Sequence, residues 1–133
     1  MRVLVTGSRD WGGVYGTNRI HQVLNILLAF NEVLGQKLTI IHGDCPSGAD
    51  RIIDDWCLRR DDSGVTVERQ PADWRTLGKW AGPIRNRHMI TSDQVDMCIG
   101  FLKNSSRGTS ITLTIARESG IPTYTVHWTE EEP

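Results

Sequence analysis

The chain has 133 residues, 38% hydrophobic and 23% charged, with a formal net charge of -1. That length suits one domain with a core of its own, and the composition excludes a disordered, collagen-like or disulfide-stapled chain. The near-zero charge disfavours a general electrostatic grip on duplex DNA, although a local basic patch can still hold a few phosphates, so small anionic ligands fit better than long polyanions.

The opening "MRVLVTGS" is too short an apolar run for a signal sequence, and no later stretch approaches a membrane span, so a cytoplasmic protein is expected. Residues 2–6 form a β-branched run ended by Gly7, the pattern of a buried strand. Ile20, Val23, Leu24, Leu27, Phe30 and Leu34 recur at helical spacing and predict an amphipathic helix with these residues inward. "LTIIH" at residues 38–42 is the second strand, stopped by Gly43. A strand, helix and strand in this order form a βαβ unit with parallel strands and a right-handed crossover.

The pattern then repeats. "GADRIIDDWCLRR" (residues 48–60) reads as a helix with Ile52, Ile53, Trp56 and Cys57 inward, followed by a strand at 65–69. Residues 71–79 read as a loop, and Pro83 opens a helix running to about Ser92, since proline suits a first helical turn. Strands are predicted at 95–102 and 121–128, and residues 129–133, "TEEEP", form a frayed acidic tail to a single domain spanning 1–128. "TSITLTIA" (109–116) alternates like a half-buried strand, but parallel neighbours need a long crossover and Gly120 suits a helix end, so a helix is assigned.

Alternating strands and helices imply a three-layer α/β sandwich around a mainly parallel five-stranded sheet. With strand order 3-2-1-4-5, ligands bind between the first and fourth strands, flanked by "TGSRDW" and "KNSSRGTS". Gly7, Gly12, Gly13 and Gly16 do not give the dinucleotide spacing, and neither a P-loop nor a nucleophile elbow is present. Cys45, Cys57 and Cys98 are an odd set at wide spacing, which suggests neither a metal site nor disulfide pairing, and no cofactor is expected.

Four stretches are candidates for ligand contact. Gly7, Ser8 and Arg9 end the first strand, where amides, a hydroxyl and a guanidinium suit a phosphate, or where a glycine turn leaves Arg9 solvated. In "HGDCPSGAD", Gly43 and Gly48 permit close backbone approach, and Ser47 either caps the helix or joins Gly48 in meeting a phosphate. Asp50 or His42 would then contact a sugar or base. In "AGPIRNRHM" the free amides of a helix start and the fork of Arg85 suit an anion, with Asn86 bracing the turn and Arg87 solvated. Gly108 and Thr109 offer a second anion-binding turn, or ordinary capping. Trp74 and Trp80 either stack a base or cover the core.

The ordered set "GSRDW", "HGDCPSGAD", "ADW" at 72–74, "AGPIRNRHM", "RGT" and "GIP" resembles the YspA-type branch of the SLOG superfamily. That Rossmann-like group also contains the LOG nucleoside-phosphate hydrolases and DprA-type domains. The resemblance implies a pocket for a nucleotide or a nucleotide-derived, ADP-ribose-like ligand, which the protein senses, sequesters or processes, and it admits a homo-oligomer. Its alternatives are N-glycosidic hydrolysis of nucleoside monophosphates with Asp50 as acid or base, and DprA-like single-stranded nucleic-acid binding on Trp11, Trp74 or Trp80. LOG enzymes carry a glutamate three positions after the threonine of their glycine-threonine turn, whereas this chain has Thr112 there.

Overall fold

The computed structural model describes residues 1–91, 94–104 and 106–129. Its elements follow the chain as β1 (Arg2–Gly7), α1 (Gly13–Val33), β2 (Leu38–His42), α2 (Ala49–Leu58), β3 (Val65–Arg69), α3 (Trp74–Leu77), α4 (Ala81–Thr91), β4 (Met97–Leu102), α5 (Arg107–Glu118) and β5 (Thr123–His127). The sheet runs β3-β2-β1-β4-β5 with every neighbouring pair parallel, so the α/β architecture and the strand order both match expectation. Ser92, Ser105 and the last four residues of the acidic tail lie outside the described residues.

Alternation along the strands divides the core. Val3 and Val5 of β1 point to one face with Ile20, Leu24 and Leu27 of α1 and Ile53, Trp56 and Cys57 of α2, while Leu4 points to the other with Met89 and Ile90 of α4 and Leu113 and Ala116 of α5. Successive strand side chains face opposite ways, so a strand covered on both faces must be apolar throughout. No helix among the described residues is long and apolar enough to cross a membrane.

Three local readings change. The inward stripe of α1 is Ile20, Leu24, Leu27 and Asn31, whereas Phe30 and Leu34 stand 51% and 50% exposed. Asn31 is tolerated inside because its Nδ2 donates to the Leu27 carbonyl at 2.8 Å, so its amide replaces part of the hydration it loses. Ile26, Phe30 and Val33 instead form an outer stripe at the same helical period.

Residues 71–79 are more than a loop. Asp73 Oδ1 accepts from the Thr76 amide at 3.2 Å and starts α3, from which a 3-10 turn at Gly78–Trp80 leads into α4. The helix therefore begins at Ala81, ahead of Pro83, which is accommodated because first-turn amides need no acceptor within the helix. α5 confirms the helix at 107–118, and the apparent strand alternation dissolves on inspection of its buried side. Thr109, Thr112, Leu113 and Ala116 face the sheet at helical spacing, and two of these are threonines that a polar-apolar reading counts as exposed.

Candidate functional site

A cleft of about 610 Å³ opens outside the carboxyl ends of β1 and β4, where the crossovers diverge to opposite sides of the sheet. Its floor comes from Gly7 at the end of β1, from Arg9 and Asp10 after it, and from Lys103 and Asn104 after β4. One wall is the first turn of α5, with Ser106, Gly108 and Thr109; the opposite wall is Trp74 and the start of α4, including Arg85 and Asn86. Gly43, Cys45 and Asp50 close the end beneath β2.

The loops of the floor are sewn together. Ser8 is buried, its Oγ accepts from the Lys103 amide at 2.9 Å, and its own amide donates to the Phe101 carbonyl at 2.9 Å. Asn104 Nδ2 donates to Asp10 Oδ2 at 3.2 Å, while Lys103 lays its ammonium 4.2 Å from the Trp128 ring. Gly48, with φ +73, starts α2 with its backbone so close to Arg9 that a Cβ would come within 2.6 Å of the Arg9 main chain. Gly48 occupies the N-cap position expected of Ser47, whose side chain is exposed, and no side chain caps this helix.

Of the twelve residues predicted to touch ligand, Gly7, Arg9, Gly43, Asp50, Arg85, Asn86, Gly108 and Thr109 line the cleft, whereas Ser8, His42, Ser47 and Gly48 stand outside its lining. His42 has both ring nitrogens engaged. Nδ1 accepts the Asp44 amide at 2.9 Å, so it carries no proton, and Nε2–H donates to Asp54 Oδ1 at 2.8 Å. Asp54 also receives Arg69 at 2.7 and 3.3 Å, so one carboxylate ties β2, α2 and β3 together. Burial alone would raise the Asp54 pKa, but the hydrogen bonds from Arg69 and His42 outweigh it and hold the pKa below the ordinary value.

Arg85 departs furthest from expectation. Its Nη1 donates to the carbonyls of Gly43 and, at 3.0 Å, Gln70, and its Nε donates to Asn86 Oδ1 at 2.7 Å. The guanidinium thus clamps the loops after β2 and β3 onto α4 while forming part of the cleft wall. The helix start beside it offers few free amides, because the Ala81 N–H is bonded to the Gly78 carbonyl and Pro83 has none. α5 is the better anion-facing end: among the described residues Ser110 is the first amide bonded back along the helix, to Ser106 at 3.1 Å, and the first-turn amides ahead of it point out of the helix start.

Asp50 is buried beside the cleft, and its Oδ2 accepts from the Cys45 amide at 3.1 Å. Cys45 is partly exposed in the lining, whereas burial pushes the thiols of Cys57 and Cys98 up to about 12. Burial, followed by the Asp50 charge, also raises the Cys45 pKa. Native protein treated with a thiol reagent at pH 8 is therefore expected to react slowly and at Cys45 alone, with peptide mapping as the check; equal labelling of Cys57 would contradict the core described above.

Comparison with known proteins bears on what this cleft serves. The YspA, cpYpsA-related SLOG family matches residues 1–76, a span that holds β1, β2, β3 and the loops forming half the cleft. The chain belongs to this family. It is also 34% identical over 126 residues to the Gene 61 protein of Mycobacterium phage D29, covering 91% of this chain and 92% of the phage protein. No solved structure matches.

The position that the resemblance to LOG enzymes gives to their glutamate is Thr112 in this chain. Thr112 is wholly buried against the sheet, its Oγ1 donates to the Gly108 carbonyl at 3.0 Å, and it does not line the cleft. Trp11, a suggested stacking platform, is equally unavailable: it is buried edge-on against Phe101 and Trp128, with Nε1 donating to the Gly16 carbonyl at 2.9 Å. Sequence reasoning missed Asp10, Cys45, Lys103, Asn104 and Ser106 as lining residues. Asp10 was signalled by "TGSRDW", and Lys103, Asn104 and Ser106 by "KNSSRGTS", beside the expected crevice, whereas Cys45 carried no signal beyond lying in a glycine-flanked loop.

Proposed function

We propose that the cleft binds a nucleotide or a nucleotide-derived ligand of the ADP-ribose kind. The observation that carries this reading is the convergence of an open helix start, at Ser106, Gly108 and Thr109, with Lys103 and Arg9 on one cleft at the switch point of a parallel sheet. A phosphate there takes hydrogen bonds from first-turn amides and hydroxyls and is favoured by the helix dipole and two cations. The carboxylate of Asp50, fixed at one oxygen by the Cys45 amide, is suited to accept from a ribose hydroxyl. Family membership supports a nucleotide-related ligand, and the cleft volume falls in the range of small-molecule sites, about 300–1,000 Å³.

Hydrolysis of an N-glycosidic bond is the second reading, favoured only by the presence of Asp50 in the lining. Thr112, which occupies the place of the LOG glutamate, offers no carboxylate to activate water. Equilibrium dialysis with AMP, the other common nucleoside monophosphates and ADP-ribose tests the first reading. Binding is expected for at least one of them, at a Kd raised about ten-fold or more by Arg9→Ala, and the same ligand slows thiol labelling of Cys45. Failure of all of them to bind overturns it. Release of free base from a bound monophosphate, abolished by Asp50→Asn, would move the conclusion to the hydrolase.

A further inference from the structure

The cleft carries one apolar stretch amid polar groups. Its cations and short polar groups come from the loops after β1 and β4 and from Arg85 and Asn86 of α4, whereas Trp74, Gly82, Pro83 and Met89, ahead of and within α4, are apolar. Trp74 is the aromatic side chain in the lining among the described residues, and it stands 50% exposed there. Trp80, six residues on and 61% exposed, lies outside the lining, with the Lys79 ammonium 5.2 Å from its ring.

The indole of Trp74 is held by its edge. A Cβ at Gly82 would meet Cη2 at 3.2 Å and Cζ2 at 3.7 Å, so the absence of a side chain at the first turn of α4 lets the six-membered ring settle against the helix backbone. α3, which presents the ring, is itself fixed by the Asp73 cap and by the 3-10 turn that joins it to α4. A large flat apolar group is thereby pinned at one end and left half exposed in a cavity that also carries polar and cationic groups. Stacking on such a face asks for a planar π-system and is indifferent to its hydrogen-bonding edge.

We propose that Trp74 is the residue that selects for a nucleobase, so that the ligand is one joining an aromatic base to its phosphate, not a bare sugar phosphate, and that Gly82 sets the tilt of the platform. This rests on the nucleotide reading above and adds to it the group that is read. The test compares AMP with ribose 5-phosphate on the wild-type protein, Trp74→Ala, Trp74→Phe and Gly82→Ala, using the ratio of the two dissociation constants, which a change in the folded fraction leaves unmoved.

The wild type is expected to bind AMP more tightly than ribose 5-phosphate. Trp74→Ala should collapse that preference by about ten-fold or more, Trp74→Phe should keep most of it, and Gly82→Ala should fall between them. An unchanged ratio in Trp74→Ala overturns the assignment while leaving nucleotide binding intact, as does a wild-type protein that binds ribose 5-phosphate as well as AMP. A wild-type protein that binds neither AMP nor any other nucleotide overturns the underlying reading, and the role of Trp74 with it.

Discussion

Replacing Gly48 with alanine is expected to lower stability by about 4 kcal/mol or more, a fall in Tm of roughly 12–20 °C for a chain of this size. Two costs add. The residue sits at φ +73, where a side chain is strained by about 1–3 kcal/mol, and its Cβ would come within 2.6 Å of the Arg9 carbonyl and 2.7 Å of the carbonyl carbon. Those neighbours are main-chain atoms tied into the floor of the cleft, so relief requires moving α2 away from β1.

Gly108→Ala provides the contrast. Among the described residues nothing lies within 4 Å of a Cβ there, and the residue is helical, so alanine should stabilise the fold by about 0.4–1 kcal/mol through the unfolded state. The same methyl group would stand at the cleft wall beside the open amides, where the proposed phosphate sits. Thermal melts and AMP titration of this variant should therefore move in opposite directions, toward higher Tm and weaker affinity. A variant that gains stability and binds unchanged would remove the first turn of α5 from the site.

The second large effect centres on Asp54. Alanine there deletes the acceptor of both Arg69 and the buried Nε2–H of His42, and is expected to cost about 1–3 kcal/mol because it strands the buried histidine donor, whereas the 40% exposed Arg69 side chain regains water. Asp54→Asn retains an acceptor for His42 and should cost less. The depressed pKa of Asp54 means that the unfolded chain takes up its proton first as pH falls, so the stabilisation is complete above the unfolded pKa and is lost on descending through the folded one. Urea midpoints of wild type and Asp54→Asn should accordingly converge as pH is lowered from about 5, and parallel curves would show that the carboxylate is not ionised in the native network.

The order of strands and helices was legible because the central strands are short apolar runs closed by glycine or polar residues, α1 and α2 carry a helical period, and the parallel neighbours require the remaining crossovers. What escaped was orientation. Ser8 and His42 have the chemistry of ligand contacts, but the same hydroxyl and imidazole also satisfy buried main-chain groups, and only the packing decides between these uses. Arg85 shows the same ambiguity in larger form, since a guanidinium fork that fits a phosphate fits two carbonyls equally well. Phe30 and Leu34 were misplaced because α1 is apolar on two sides, and a hydrophobic pattern alone does not say which one meets the sheet. Position relative to the strand ends proved the sounder guide, because the carboxyl edge of the sheet gathers the loops whatever their residues do.

The central place of β1 also governs how the molecule must assemble itself. Its pairing with β2 joins Val3 to Ile40, but its other edge closes on β4, joining Val3 to Met97. A chain emerging from the ribosome can form β1, β2 and β3 early, yet β1 keeps one edge unpaired until β4 (Met97–Leu102) has been made. The late, long-range closure favours slow folding and leaves an aggregation-prone edge in the interval.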